Sequence, residues 1–283
     1  MNLASHDPAD AEATMKNILL LVHDDPGQEA RLRAALDVTR AVKGHLNCLD
    51  VVIMPVVVGY DWGGYTTAML LEQERMSEDL NRLALEKRLL REGVAWSWHS
   101  ATGDLVSSIE RAAVLNELIV VNCRLQGVDY PDMRASTSNL IVNSGKPILA
   151  VPETAKGFPA AGRALVAWDG SLQSDAAMQA ALPLLRLATH VAVVEIDDGS
   201  LDRPAADAAA FLSRHGIRPI TVRHETPHGE AGQRLLRVID EQKADYVVMG
   251  GFGRSRFSEA LLGGVTRTLL THSRVPLLLA HCG

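Results

Sequence analysis

Asp245-Tyr246-Val247-Val248-Met249-Gly250-Gly251-Phe252-Gly253-Arg254-Ser255-Arg256 is the stretch on which the fold turns. A short apolar run bounded by glycines is what a parallel strand covered on both faces requires. Beyond it Phe257, Leu261, Leu262, Val265, Leu269 and Leu270 recur at helical spacing. Strand, glycine loop and helix in this order suit an anion. Glycine lets backbone approach a ligand closely and adopt positive φ, and loop and helix-start N–H groups supply donors and a partial positive charge. Arg254, Arg256 and Arg267 add full charges, and Thr266 offers a hydroxyl. Gly263-Gly264 should break that helix early, just before Val265-Thr266.

Working outward, the chain repeats itself. Asn17-Ile18-Leu19-Leu20-Leu21-Val22-His23-Asp24 matches Arg163-Ala164-Leu165-Val166-Ala167-Trp168-Asp169-Gly170-Ser171. Ala34-Ala35-Leu36 recurs as Ala180-Ala181-Leu182, and the offset stays near 145. The ends also agree: Lys146-Pro147-Ile148-Leu149-Ala150-Val151 answers Val275-Pro276-Leu277-Leu278-Leu279-Ala280 at an offset of 129. The first copy therefore holds about 16 extra residues, placed in Pro55 to Gln73. Pro152 to Gly162, with its prolines and glycines, reads as a linker. The expected organisation is a disordered tail over 1–15, a first domain over 16–152, a linker over 153–162 and a second domain over 163–283.

Within the second copy the predicted strands are 163–168, 190–196, 218–224, 245–250 and 276–280. Helices are predicted over 172–187, 202–215, 229–242 and 257–273, with Pro183 expected to kink the first. Alternating strands and helices mean βαβ units and a parallel sheet, so each copy is an α/β domain of five parallel strands with helices on both faces.

Composition narrows the function. Aromatic residues are only 4%, so the cores must be built from Leu, Val, Ile and Ala. A net charge of −6 without a dense Lys/Arg run argues against nucleic acid. Cys48, Cys123 and Cys282 are far apart and form no CxxC pair, which suits reduced thiols in a cytoplasmic protein. The polar N-terminus lacks the apolar core of a signal peptide, and no apolar run is long enough to span a membrane.

The spacing from Gly250 through Gly253 to Gly263 resembles the nucleotide-binding motif of the universal stress protein family: Gly, two residues, Gly, nine residues, Gly, then Ser or Thr. The resemblance covers both copies, from Lys16 to His281. It implies two tandem Rossmann-like domains of the adenine nucleotide alpha hydrolase-like type. It also implies a stress-response role, with ATP, with or without Mg2+, held in the second domain. Asp169, with Gly170 and Ser171, would meet the adenine and ribose region, and Glu195 and Ile196 would flank the base. Gly250, Gly253, Arg254, Gly263, Gly264, Val265 and Thr266 would hold the phosphates. Position 264 departs from the family, being Gly where its binders carry Ser or Thr, and Thr266 is the substitute donor within reach.

The first copy lacks these features. Asn122 stands at the place of Gly250 and Leu125 at that of Gly253, so side chains should crowd out a phosphate. Asp24 is expected to cap a helix there. No catalytic base is evident by the loop, so turnover should be slow or absent, and no metal site is expected. His224-Glu225-Thr226-Pro227-His228 spells HExxH, but it ends a predicted strand and meets a turn, which a zinc hydrolase motif does not. Cys48 reads as core, Cys123 as a thiol in the degenerate loop, Trp62 and Tyr65 as cover in the insertion, and Glu72 to Arg91 as a solvated helix face.

Two further readings stand beside the nucleotide-binding regulator. One is an interaction module that binds no nucleotide, with the two fifth strands pairing inside one chain as the family's do between subunits, and with further homodimers as an option. The other is an enzyme using the same crevice, by analogy with adenylating enzymes.

Overall fold

Asn17–Val22 (β1) is apolar after its first residue and buried along its length, as a strand covered on both faces must be. It is followed by the helix Gln28–Ala41 (α1), then His45–Ile53 (β2), Tyr65–Leu89 (α2), Ala95–Gly103 (β3), Leu105–Ala112 (α3), Leu118–Asn122 (β4), Met133–Asn143 (α4) and Ile148–Val151 (β5). The second half runs Arg163–Trp168 (β6), Leu172–Ala180 (α5), Leu182–Leu185 (α6), His190–Asp197 (β7), Ala205–Arg214 (α7), Ile220–Glu225 (β8), Ala231–Glu241 (α8), Tyr246–Gly250 (β9), Gly264–His272 (α9) and Leu277–Ala280 (β10). The computed structural model describes residues 15–53, 65–123, 133–199, 201, 203–252 and 264–281.

The strands form one ten-stranded sheet in the order β3-β2-β1-β4-β5-β10-β9-β6-β7-β8. Within each half the pairing is parallel, and the order of strands three, two, one, four, five is that of a doubly wound fold. Helices α1, α2, α5, α6 and α7 cover one face, and α3, α4, α8 and α9 the other. The halves join where β5 and β10 pair antiparallel, Leu149 opposite Leu278. That pairing covers two apolar edges that would otherwise recruit other chains.

The expected second-half strands all form, with ends within two residues of the prediction, and the helices follow in the expected order; residues 257–263 of the last predicted helix lie outside the described residues. Pro183 does more than kink: it sits in the first turn of α6, and α5 stops at Ala180. Met15, assigned to the tail, is buried in the core, while residues 1–14 lie outside the described residues. The segment between the halves is anchored. The Phe158 N–H donates to Asp37 Oδ2 at 2.9 Å, and the Phe158 ring lies 4.6 Å from that of Tyr246. Much of the extra length of the first half lies in α2, which has 25 residues against 10 in its counterpart α7. Among the described residues no helix is long and apolar enough to cross a membrane.

Candidate functional site

At the C-terminal end of β6 the chain turns sharply through Asp169, Gly170 and Ser171. Asp169 is exposed, and its Oδ1 accepts the Ser171 N–H at 3.0 Å and the Ser171 hydroxyl at 2.6 Å. Ser171 in turn caps α5, its Oγ accepting the Ser174 N–H at 3.2 Å. Gly170 has φ +77° and lies so close to the Arg203 backbone that any Cβ would collide with it. The Arg203 guanidinium donates to the Gly170 carbonyl at 3.1 Å and sits 5.6 Å above the Trp168 ring. Arg203 is thus an exposed cation beside Asp169, and only its place before the α7 pattern could have flagged it.

Glu195 stands near the C-terminal end of β7. It is buried, its Oε2 accepts the Ala205 N–H at 2.7 Å, and its Oε1 pairs with Arg223 Nε at 3.3 Å. Proline at position 204 gives α7 no side-chain cap, so Glu195 serves the first turn of that helix instead. Ile196 is half-buried and packs against the opposite face of the sheet.

Gly250 ends β9 against the start of α5: a Cβ there would lie 2.7 Å from Ser174 N and 2.9 Å from Gln173 Cβ. Its lack of a side chain lets the helix close onto the strand. Gly251 meets the other half of the molecule, since a Cβ there would run into Ile141 Cγ2 of α4. Phe252 follows at φ +53°, a conformation that costs a bulky residue. Its N–H donates to Thr266 Oγ1 at 3.3 Å, and Thr266 is buried. Thr266 therefore braces the loop. Val265 is half-buried against the core, and Gly264 opens α9 with none of the described residues within 4 Å of where its Cβ would be. Gly253, Arg254 and Gly263 lie outside the described residues.

The same end of the first half is filled. Arg31 of α1 is fully buried, donating from Nε to the Leu21 carbonyl at 2.6 Å and from Nη2 to the His23 carbonyl at 3.0 Å and Asp25 Oδ2 at 2.9 Å. Its Nη1 donates to Asn122 Oδ1. The Asn122 amide donates to the Gly27 and Val151 carbonyls, each at 3.1 Å. A side chain at position 122 does occupy the strand end, as expected, and a buried guanidinium completes the plug. Asp24 does not cap α1. Gly27 holds the cap position with no side-chain bond, and it is Asp25 that accepts the Gly27 N–H at 2.7 Å.

Strand register puts His23 at the place of Asp169, and Asp50 at that of Glu195. His23 Nδ1 lies 2.6 Å from Glu78 Oε1, with both groups buried. Burial alone would lower the His23 pKa, but the hydrogen bond and charge of Glu78 raise it. Burial would likewise raise Glu78, and His23 lowers it. Both directions describe a charged pair. Asp50 is pushed up to about 6 by burial and then by the charge of Glu78. His23, Glu74 and Glu78 offer ligand atoms within 4.8 Å of one another, a set a divalent cation could use. The oxygens of Glu78 are already engaged by His23 and by the Asn81 amide at 3.2 Å.

The remaining motifs resolve simply. His224 lies in β8, with Nδ1 2.8 Å from Arg234 Nη2, and His228 stands exposed in the turn beyond, so HExxH does not sit on a helix. Cys48 is core, its thiol pushed up to about 12 by burial, and Cys123 is buried as well. Trp62 lies outside the described residues and Tyr65 opens α2.

Residues 161–281 match the family model of the universal stress proteins. The match covers the second half of the chain and none of the first. The Gly250-Gly251 turn, the bracing Thr266 and the capped α5 all lie within the matched residues. A universal stress protein of Archaeoglobus fulgidus, 16% identical, superposes with a TM-score of 0.72 over 95% of this chain and 99% of its own. A Pseudomonas aeruginosa protein described as a universal stress protein, 19% identical, gives 0.58 over 96% and 95%. At such identities the likeness is one of fold, and it extends over both halves. No curated protein matches the chain by sequence.

Proposed function

We propose that the universal stress protein domain of residues 161–281 binds ATP, and that the chain is a stress-response regulator and not an efficient enzyme. What carries the reading is an asymmetry. At the ligand end of the second half Gly250 and Gly251 bring no side chain to the end of β9, where α5 and Ile141 close in, and Gly264 stands open at the start of α9, whereas the first half fills the corresponding strand end with Asn122 and the Arg31 guanidinium. Asp169 and Arg203 border the second site at the end of β6, where a nucleotide's sugar and base lie in doubly wound folds. The start of α9 supplies N–H donors for phosphate.

Regulation would run through Gly251. Nucleotide held at the end of β9 acts on a segment packed against Ile141 of the first half, so the two halves share one response. The competing reading, an interaction module without nucleotide, draws support from Gly264, which offers no hydroxyl, and from Thr266, whose oxygen is engaged by Phe252.

The test is to release bound small molecules from freshly purified protein with acid and quantify adenine nucleotide per chain. One nucleotide per chain, or a rise in Tm on adding ATP and magnesium, supports the proposal. No retained nucleotide together with an unchanged Tm at millimolar ATP sinks it and leaves the interaction module.

A further inference from the structure

Helix α2 has two apolar sides. The inner one carries Leu85 and Leu89, buried over the sheet with Glu78. The outer one carries Met69, Met76, Leu83 and Leu90, each seven residues after the last, with Leu80 among them; all five are 61–76% exposed. Leu90 continues the helical path, its N–H bonding the Glu86 carbonyl at 3.1 Å. A seven-residue apolar repeat makes one continuous seam along a helix and is the pattern by which two helices pack knobs into holes. Over these 22 positions the seam is about 32 Å long. An apolar stripe of that length on a surface marks a contact with another protein. The Glu72 to Arg91 stretch is therefore more than a solvated charged face.

The seam is complementary to itself. Its exposed charges are Glu72, Arg75 and Asp79 toward the N-terminal end, and Lys87 and Arg91 toward the C-terminal end. Laying a second α2 antiparallel about a centre between Asp79 and Leu80 sets Met69 opposite Leu90 and Met76 opposite Leu83. It also sets Glu72 opposite Lys87, and Arg75 opposite Ala84. A parallel pair would instead stack Lys87 on Lys87 within the seam and align Glu72 with Glu72. One patch that fits a copy of itself by a two-fold rotation is the requirement for an isologous dimer. The counterpart α7 is too short to carry such a stripe, and the β5 and β10 edges are already consumed within the chain.

We propose that two copies of this chain associate through antiparallel α2 helices, with the Met69, Met76, Leu80, Leu83, Leu90 stripe as the seam and Glu72 paired to Lys87 across it. The proposal is independent of nucleotide binding. It is tested on the full chain by sedimentation equilibrium over a range of protein concentrations. A dimer is expected, with Leu80→Glu plus Leu83→Glu weakening association by roughly a hundredfold or more, because two charges would enter the seam unpaired. Both leucines are exposed, so circular dichroism of the variant should match the parent. Glu72→Lys alone should weaken the dimer, and adding Lys87→Glu should restore it. A parent chain that stays monomeric at every concentration, or a dimer indifferent to the leucine changes, overturns the proposal. A charge-swapped pair that fails to recover the dimer overturns the antiparallel register.

Discussion

Gly27 meets the Asn122 side chain where, in the other half, Gln173 meets Gly250. A Cβ on Gly27 would lie 2.5 Å from Asn122 Nδ2, just as one on Gly250 would lie 2.9 Å from Gln173 Cβ. Each half needs one glycine where its first helix crosses its fourth strand, and the two halves put it on opposite sides of the contact. The half that spends its glycine on the strand brings no side chain to that strand end, and its first helix closes onto the strand there. The half that spends it on the helix gains an amide able to bind Arg31.

Gly250→Val should therefore act through α5. The added side chain forces that helix off β9 and carries the Ser171 cap and the Asp169 turn with it. A loss of about 3 kcal/mol in urea unfolding is expected, together with loss of retained nucleotide. An unchanged midpoint would show that α5 is not held as closely as described.

Gly264→Ser restores the hydroxyl that family binders carry, at a position with room for it. A hydrogen bond to a charged phosphate contributes about 1.5 kcal/mol or more, so ATP should bind roughly tenfold tighter by calorimetry. Equal or weaker binding would mean that this position does not face the phosphates.

Arg31→Met should be among the most damaging single changes in the first half. It strips donors from the Leu21 and His23 carbonyls, Asp25 and Asn122 at once, all in a buried place. Removing one partner of a buried charged network costs about 3–5 kcal/mol, to be read from denaturant midpoints. Nucleotide binding per folded molecule should not change if the second half acts alone.

Asp50 gives a pH signature. Its folded-state pKa is raised to about 6 by burial and the Glu78 charge. The folded state thus holds its proton more tightly than the unfolded chain. No penalty is felt below the unfolded value near 4; the cost grows as pH rises and is complete above the folded value. Asp50→Asn should stabilise the protein by about 2–3 kcal/mol at pH 8, the gain shrinking steadily from pH 6 to pH 4. The His23–Glu78 pair acts differently: its His23 contribution is lost as pH rises through the raised histidine value, and its Glu78 contribution as pH falls through the lowered carboxylate value. Unfolding midpoints of parent and variant measured across pH 4–8 separate these effects. A gain at pH 4 as large as at pH 8 would refute the assignment.

Much of the fold was legible because its signals are local. Arg163–Trp168 appears in the structure with the bounds its apolar run predicts; the pairing of Ile148–Val151 with Leu277–Ala280 within the chain was implied by the family resemblance and not by any local signal. What escaped depended on register and on tertiary contact. An offset of 145 aligns Asp24 with Asp169, but the first strands are related by 146, so His23 takes that place. Arg31 looks like any arginine on a surface helix, and only the fold aims its guanidinium inward. Glu195 is a plain acidic residue at a strand end until α7 begins without a cap beside it. The length of α2 was hidden because apolar residues on both its sides blur the helical period.

The antiparallel joint between β5 and β10 has an evolutionary corollary. In a symmetric pair of separate subunits the joining strand must fit itself, and a residue lost from one nucleotide site is lost from both. With both strands in one chain, Ile148-Leu149-Ala150 and Leu277-Leu278-Leu279 need only fit each other. Covalent linkage thus frees the halves to drift apart in role. One can fill its strand end with a salt-bridged plug and serve as a fixed companion, while the other stays free to take a separate role.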